Sequence, residues 1–272
     1  MKIGFFTEGQ YNGMVPRENT NMRTELAWQT ALRSSHVPIN NLHLVPNDSF
    51  DLGIVIIPKS KVGLTEYPLV AEMKRTCKKI GAMQEGTCTY WQDNEIADQI
   101  WYFNTLTEMD VIFCHNDSDQ LYYEGLTGVR SELLHTLMIT DYVNLPPKDR
   151  KGVMMGGNMV QVYGGFDSYQ VALELDTEVH ALTTGRMKPE EDMLDITHHP
   201  WMRWSEWIEL LGQFKYGIQM GTPSAGTFNL NCAYQGIPCI GYDNVNTQIK
   251  LHPYTTVKPG DIAHAKEIAR RL

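Results

Sequence analysis

The run Ser224-Ala225-Gly226-Thr227, leading into Phe228–Gln235 and closed by Gly236, carries residue types that can hold an anion. Small side chains leave backbone N–H groups accessible at a helix start, and the helix dipole adds partial positive charge there. A phosphate or diphosphate is the chemistry that such a turn serves. Gly236 suits the left-handed position past the helix end, and Pro238 prevents its continuation, so Ile237–Gly241 reads as a short buried strand.

Ligands of open parallel sheets bind beyond the carboxyl ends of the strands, and that rule collects further candidates. The first half of the chain offers Thr7-Glu8-Gly9, Lys59-Ser60, Gln84-Glu85-Gly86 and His115-Asn116-Asp117. The second half offers Gly156-Gly157-Asn158, Thr184-Gly185-Arg186 and Gly221–Thr227. The first set, with its acids and histidine, suits removal of a proton from a hydroxyl. The second, with its glycines, hydroxyls and arginine, suits phosphate binding. His115 and Asp117 are candidate bases, with Glu8 a rival at the tip of the first strand. Otherwise Asp117 caps a helix starting near Asp119 and His115 is a satisfied loop residue. Arg186 offers a two-pronged contact to a diphosphate, or else a surface ion pair with Glu190 or Glu191. Gly156-Gly157-Asn158 is a ligand turn or only a turn. Lys59, Arg17, Arg23 and Arg130 supply local positive charge for an acceptor or are solvated surface charges.

Short apolar runs alternating with helical spacing must position these residues. Strands are expected at Lys2–Thr7, Leu52–Ile57, Ile80–Met83, Val111–Cys114, Val153–Met155, Val179–Thr183, Tyr216–Met220 and Ile237–Gly241. Helices are expected at Asn21–Ser34, Pro68–Lys79, Asn94–Leu106, Gln120–Leu126, Phe166–Leu175, Trp204–Phe214 and Asp261–Leu272. This alternation means parallel sheets covered on both faces. The proline-rich, charged stretch Tyr142–Arg150 reads as a linker, which divides the chain into an N-terminal domain, 1–146, and a C-terminal domain, 147–272, with the last helix a candidate to pack back on the first.

The 272 residues, 42% hydrophobic and 20% charged, are enough for packed cores and do not read as disordered. A net charge of -9 disfavours a protein that grips a polyanion over its whole surface. Five cysteines, Cys77, Cys88, Cys114, Cys232 and Cys239, at irregular spacing read as reduced thiols in a cytoplasmic setting. No export signal or membrane span is read from the sequence. The first strand–helix connection lacks Gly-x-Gly-x-x-Gly, and no Gly-x-x-x-x-Gly-Lys-Ser/Thr run exists, which disfavours nicotinamide enzymes and nucleoside-triphosphatases. His198-His199 lacks further ligands at metal spacing, and the three-residue spacing of Trp201, Trp204 and Trp207 reads as a packing stripe of one helix or of the domain joint.

Over about residues 151–258 the chain resembles glycosyltransferases of the GT-B architecture, an α/β fold of two facing Rossmann-like domains with an interdomain cleft. The resemblance rests on Trp204-Ser205-Glu206-Trp207-Ile208-Glu209-Leu210-Leu211, Gly217-Ile218-Gln219-Met220, the run from Ser224 through Gly241, and His252-Pro253; the N-terminal half matches in pattern only. It implies that the C-terminal domain binds a nucleotide-diphosphate sugar, a UDP-sugar foremost, as donor substrate with no cofactor required. Ser224, Ala225, Gly226 and Thr227 would meet the diphosphate. Gly156, Gly157, Asn158 and Arg186 would line the same site. Asn231 stands where many such enzymes carry a glutamate that holds the donor ribose or sugar, and Pro223 stands where a second glutamate is expected. The N-terminal domain would hold the acceptor through Lys59, Glu85, Arg17, Arg23 and Arg130, with His115, Asp117 or Glu8 as base. In general build the chain is similar to phage transferases that glycosylate hydroxylated pyrimidines in double-stranded DNA, acting in the host cytoplasm without a membrane. A glycan or small-molecule glycosyltransferase, a sugar-nucleotide epimerase and a non-catalytic sugar-nucleotide-binding module are the other readings.

Overall fold

The computed structural model describes residues 1–7, 24–57, 67–84, 87–88, 91–92, 94–140, 143, 149–157, 159, 163–182, 189–221 and 225–272. They form two compact units, one ending at Leu137 and the other beginning at Met138. Residues 144–148, around the linker read from the sequence, lie outside the described residues.

The first unit is a parallel sheet of six strands in the order β2-β1-β3-β4-β5-β6. Its strands are β1 (Ile3–Thr7), β2 (Ser35–Pro38), β3 (Phe50–Val55), β4 (Cys77–Met83), β5 (Val111–Cys114) and β6 (Ser131–Leu133). Helices α1 (Thr24–Ala31), α2 (Leu69–Thr76), α3 (Ile96–Thr107) and α4 (Asp117–Thr127) alternate with them. β1 is buried along its whole length, as a central strand covered on both faces must be. Phe6, Val55, Ile80, Ile112 and Cys114 pack on one side of the sheet; Ile3, Phe5, Ile54 and Met83 pack on the other.

The expected helix Pro68–Lys79 ends earlier, at Thr76, and Cys77 turns directly into an extended conformation with φ -131° and ψ 144°. The strand therefore takes Cys77, Lys78 and Lys79 as well as Ile80–Met83. Cys77 pairs with Phe50 and Lys79 with Leu52, while Lys78 and Lys79 reach Asp51 and Asp110, each at 2.7 Å. Backbone pairing with β3 outweighs the good helix propensity of the two lysines.

The second unit repeats the pattern with the order β12-β11-β10-β7-β8-β9, again parallel. Its elements are β7 (Val153–Met155), α5 (Gly165–Ala172), β8 (Val179–Leu182), β9 (Thr197–His199), α6 (Trp204–Leu211), β10 (Tyr216–Gln219), α7 (Thr227–Tyr234), β11 (Cys239–Tyr242), α8 (Asn246–Leu251), β12 (Thr256–Val257) and α9 (Ile262–Arg271). The last helix packs through Ala265, Ile268 and Ala269 into the core of its own unit, beside Tyr169, Val171 and Ala172 of α5. Asp261 caps it by accepting from His264 N–H at 3.1 Å. α6 begins where Glu206 accepts from the Arg203 N–H at 2.9 Å. Trp201 precedes that helix and is 52% exposed, so the tryptophan stripe reduces to buried Trp204 and half-buried Trp207.

α7 closes as its glycine dictates. Gly236 has φ +66°, its N–H donates to Ala233 O at 3.0 Å, and Ile237 N–H reaches back to Cys232 O at 2.8 Å. This is a Schellman motif with its apolar contact between Ile237 and Cys232. All five cysteines are free thiols.

Candidate functional site

In the second unit the chain leaves β7 outward through β8 and β9, then crosses to β10 on the other side of β7. The reversal between β7 and β10 is a topological switch point, where ligands of open α/β sheets bind. Met155-Gly156-Gly157 ends one strand and Gln219-Met220-Gly221 follows the other. Gly156 joins them: its N–H donates to Ile218 O at 2.8 Å, and its carbonyl accepts from Gln219 Nε2 at 2.7 Å.

Two helices start against this reversal, each from a left-handed glycine. Gly164, before α5, has φ +66°, and a Cβ there would lie 1.7 Å from Met220 O. Ser168, on the first turn of that helix, accepts from Met220 N–H at 3.0 Å. Gly226, before α7, has φ +75°, and a Cβ there would lie 2.7 Å from Thr247 Oγ1. Phe228 on the first turn of α7 fills the space over Gly156, where a Cβ would meet its ring at 2.4 Å. Only glycine satisfies the backbone conformation at Gly164 and Gly226 together with the close approach. The structure thus brings Gly156 against the first turn of α7, which Gly226 and Thr227 open, and the start of α5 against Met220 beside β10. Asn158, Arg186 and Ser224 lie outside the described residues.

Asn231 sits one turn into α7 and is buried. Its amide oxygen accepts from Trp207 Nε1 and its nitrogen donates to Thr227 O, both at 3.2 Å. The side chain therefore ties α7 to α6. Gly164, Ser168 and the Val245–Thr247 turn escaped the sequence reading. The Gly164-Gly165 doublet before Phe166 was a usable signal for the first two; Thr247 carries none, because only packing brings it to Gly226.

In the first unit the order reverses between β1 and β3. On the other side of β1, Thr7 Oγ1 meets His36 Nε2 of β2 at 2.7 Å. Glu8, Arg17, Arg23 and Lys59, which follow these strands, lie outside the described residues, as does Glu85 after β4. Asp117 is exposed and opens α4, with Asn116 at the N-cap position. The helix thus begins two residues before Asp119, and the Asp117 carboxylate stands in the first turn, where the helix dipole favours it. His115 is 2% exposed, and its Nδ1 faces Leu134 O at 2.8 Å. Burial pulls its pKa below the ordinary 6.5 against the opposing pull of the Leu134 carbonyl and Asp119. Arg130 precedes β6, at the amino edge of the sheet away from the strand ends that carry His115 and Asp117, and it is ion-paired with Glu132.

Among the described residues no group of three or more His, Cys, Asp and Glu side chains is set to hold a metal ion. His198 instead pairs with buried Glu191 at 3.0 Å, and His199 with His180 at 3.0 Å. No helix among the described residues is long and apolar enough to cross a membrane.

No family model and no curated protein matches the chain. Solved structures do. Anabaena HepE in complex with UDP superposes with a TM-score of 0.62 at 10% identity, covering 100% of this chain and 88% of its own. Trehalose-6-phosphate synthase OtsA gives 0.61 at 10% identity, covering 85% and 66%. S. aureus TarM in a complex that includes UDP gives 0.58 at 9% identity, covering 81% and 48%. The chain thus spans about half the length of TarM. At this identity the likeness establishes the fold: an α/β protein of two Rossmann-like units of the GT-B kind.

Proposed function

We propose that the chain is a glycosyltransferase that takes its sugar from a nucleotide-diphosphate sugar, a UDP-sugar foremost, and passes it to an acceptor hydroxyl. The observation that carries this reading is the β7/β10 switch point, where two helices begin at Gly164 and Gly226 and the glycines let Met220, Phe228 and Thr247 approach the backbone closely. Such a place offers backbone N–H groups and partial positive charge to a diphosphate without needing a cationic side chain. The UDP found with HepE and with TarM, which share the fold, supports the nucleotide.

The first unit holds the acceptor in this reading. Asp117, exposed at the start of α4 just after β5, would accept the hydroxyl proton in this reading, and Glu8 is the alternative base. A glycan or small-molecule acceptor stands ahead of a hydroxylated pyrimidine in DNA. The net charge of -9 works against a polyanion, and Arg130 is engaged by Glu132 at the other edge of its sheet.

Thermal-shift and calorimetric titration with UDP and a set of UDP-sugars tests the donor, since a true donor stabilises the fold by mass action. Binding followed by transfer to a glycan or small-molecule panel is the expected result. Transfer to hydroxymethylated duplex, with affinity that falls as salt rises, would restore the DNA acceptor. Conversion of the donor with no acceptor present would point to an epimerase, and binding with no turnover at all to a sugar-nucleotide-binding module. Absence of any nucleotide binding would sink the reading.

A further inference from the structure

Helix α7 starts without a side-chain cap. Gly226 stands at its N-cap position with no side chain to offer, and the first helical hydrogen bond runs from Leu230 N–H to Gly226 O at 3.1 Å. The N–H groups of Phe228 and Asn229 are the second and third of the helix, the pair that an N-cap side chain ordinarily satisfies. They meet no acceptor among the described residues. A hydroxyl from a distant part of the chain stands beside them. Thr247, on the first turn of α8, is 9% exposed, and its Oγ1 lies 2.7 Å from the place that a Cβ of Gly226 would take. An N-cap side chain sets out from that Cβ toward those two amides, so the hydroxyl lies on their side of the glycine. It makes no hydrogen bond with any described residue.

A side-chain oxygen this far buried is ordinarily hydrogen-bonded. A hydroxyl and two amides that all lack acceptors share one complement, an oxygen that only accepts. The positive end of the α7 dipole favours a negative charge on it, which selects a phosphate oxygen over a sugar hydroxyl. Resting on the glycosyltransferase reading, we propose that Thr247 is a donor-binding residue. Its hydroxyl donates to a phosphate oxygen of the nucleotide-diphosphate sugar that the Phe228 and Asn229 N–H groups also hold. The turn after β11 thereby takes part in donor recognition, and Gly226 is what lets its hydroxyl come close enough.

The test compares the wild type, Thr247→Val and Thr247→Ser in the full chain, by calorimetric titration with UDP and with inorganic pyrophosphate and by thermal unfolding without ligand. Valine keeps the shape of threonine and exchanges the hydroxyl for a methyl. Thr247→Val is expected to weaken UDP and pyrophosphate about tenfold, the scale of one hydrogen bond to a charged group. Thr247→Ser should restore both affinities. The Tm of the free valine variant should not fall, because no hydrogen bond of the folded chain is lost. Should the valine variant not fold, Thr247→Ala is read in the same way. Unchanged affinity for both ligands in a folded variant would overturn the proposal. A lower Tm of the free protein with unchanged affinity would make Thr247 a cap of α7 and overturn it too. Hydroxyl-dependent binding of pyrophosphate without binding of UDP would uphold the phosphate contact and remove the donor reading. Sugar transfer by a Thr247→Val variant of unchanged UDP affinity would uphold that reading and remove Thr247 from it. A wild type that binds neither ligand would overturn both.

Discussion

Gly226 and Thr247 are in contact across the mouth of the second unit's switch point: a Cβ on Gly226 would lie 2.7 Å from Thr247 Oγ1 and 2.8 Å from Val245 Cγ1. The turn after β11 therefore rests on the backbone at the start of α7, and the absent side chain is what lets it do so. Gly226→Ala should lower stability through left-handed strain of about 1 kcal/mol plus the displacement of this turn, and should weaken UDP-sugar binding by at least tenfold. Gly236→Ala is the control. Its φ is +66° with nothing within 4 Å of the added Cβ, so it should cost the backbone strain and leave donor affinity unchanged. Thermal unfolding and calorimetric titration of both variants check the contrast.

Gly156 and Phe228 predict a coupled pair. Gly156→Ala should destabilise by about 1–3 kcal/mol, the usual range for overpacking, because the new methyl meets the Phe228 ring. Phe228→Leu should relieve part of that loss. A double-mutant cycle on denaturant unfolding should give a favourable coupling energy of about 0.5 kcal/mol or more; additive losses would mean that the ring does not set the limit.

Asn231→Ala should leave the Trp207 indole N–H without its acceptor and cost about 1–3 kcal/mol, as for a buried donor left unsatisfied. Trp207 fluorescence should shift with it. Asn231→Asp keeps an acceptor for the indole but sets a carboxylate oxygen against Thr227 O, so it should retain the Trp207 signal and still lose stability.

His252 predicts an acid limb of stability. Its Nδ1 accepts from Cys239 N–H at 3.3 Å and its Nε2–H donates to Asn229 O at 2.9 Å. Burial lowers its pKa, against the pull of the Asn229 carbonyl, and burial likewise lowers those of His36, His115 and His199. Below the unfolded value of about 6.5 the unfolded chain binds protons that the folded one refuses, so stability falls as pH drops. Tm should be flat from about pH 8 to 7 and fall from about pH 6.5 downward. His252→Gln should flatten part of that slope. Asp51 acts in a separate window: its hydrogen bond with Lys78 draws its pKa to about 2, so its contribution is lost only below the ordinary carboxylate range of about 3.9.

The strong strands were legible in the sequence because they are apolar runs buried on both faces, as in β1, β5 and β7. Helix α7 and its glycine end were legible because the small-residue start, Gly236 and Pro238 are local signals. The edges were not. β2, β6 and β9 are short and carry residues such as Ser35, Glu132 and His198, whose identities favour no strand, and β12 is only two residues long; they are strands because a neighbour offers them an unpaired backbone edge. Helix α8 was missed for a similar reason. Its Gln248 is wholly buried and donates to Cys239 O at 2.8 Å, a partner nine residues away that no local pattern announces.

By itself the sequence determined an alternating α/β chain, a small-residue turn at Ala225-Gly226-Thr227 that opens a helix, and a set of polar residues near strand ends, because periodicity, glycine and proline act within a few residues. The tertiary structure decided which of those residues meet. It placed Gly156 under Phe228, Gly226 against Thr247, Asn231 on Trp207, His115 inside the first unit and Arg130 at the opposite edge of its sheet. Strand order and burial arise from contacts between distant segments, and no spacing along the chain encodes them.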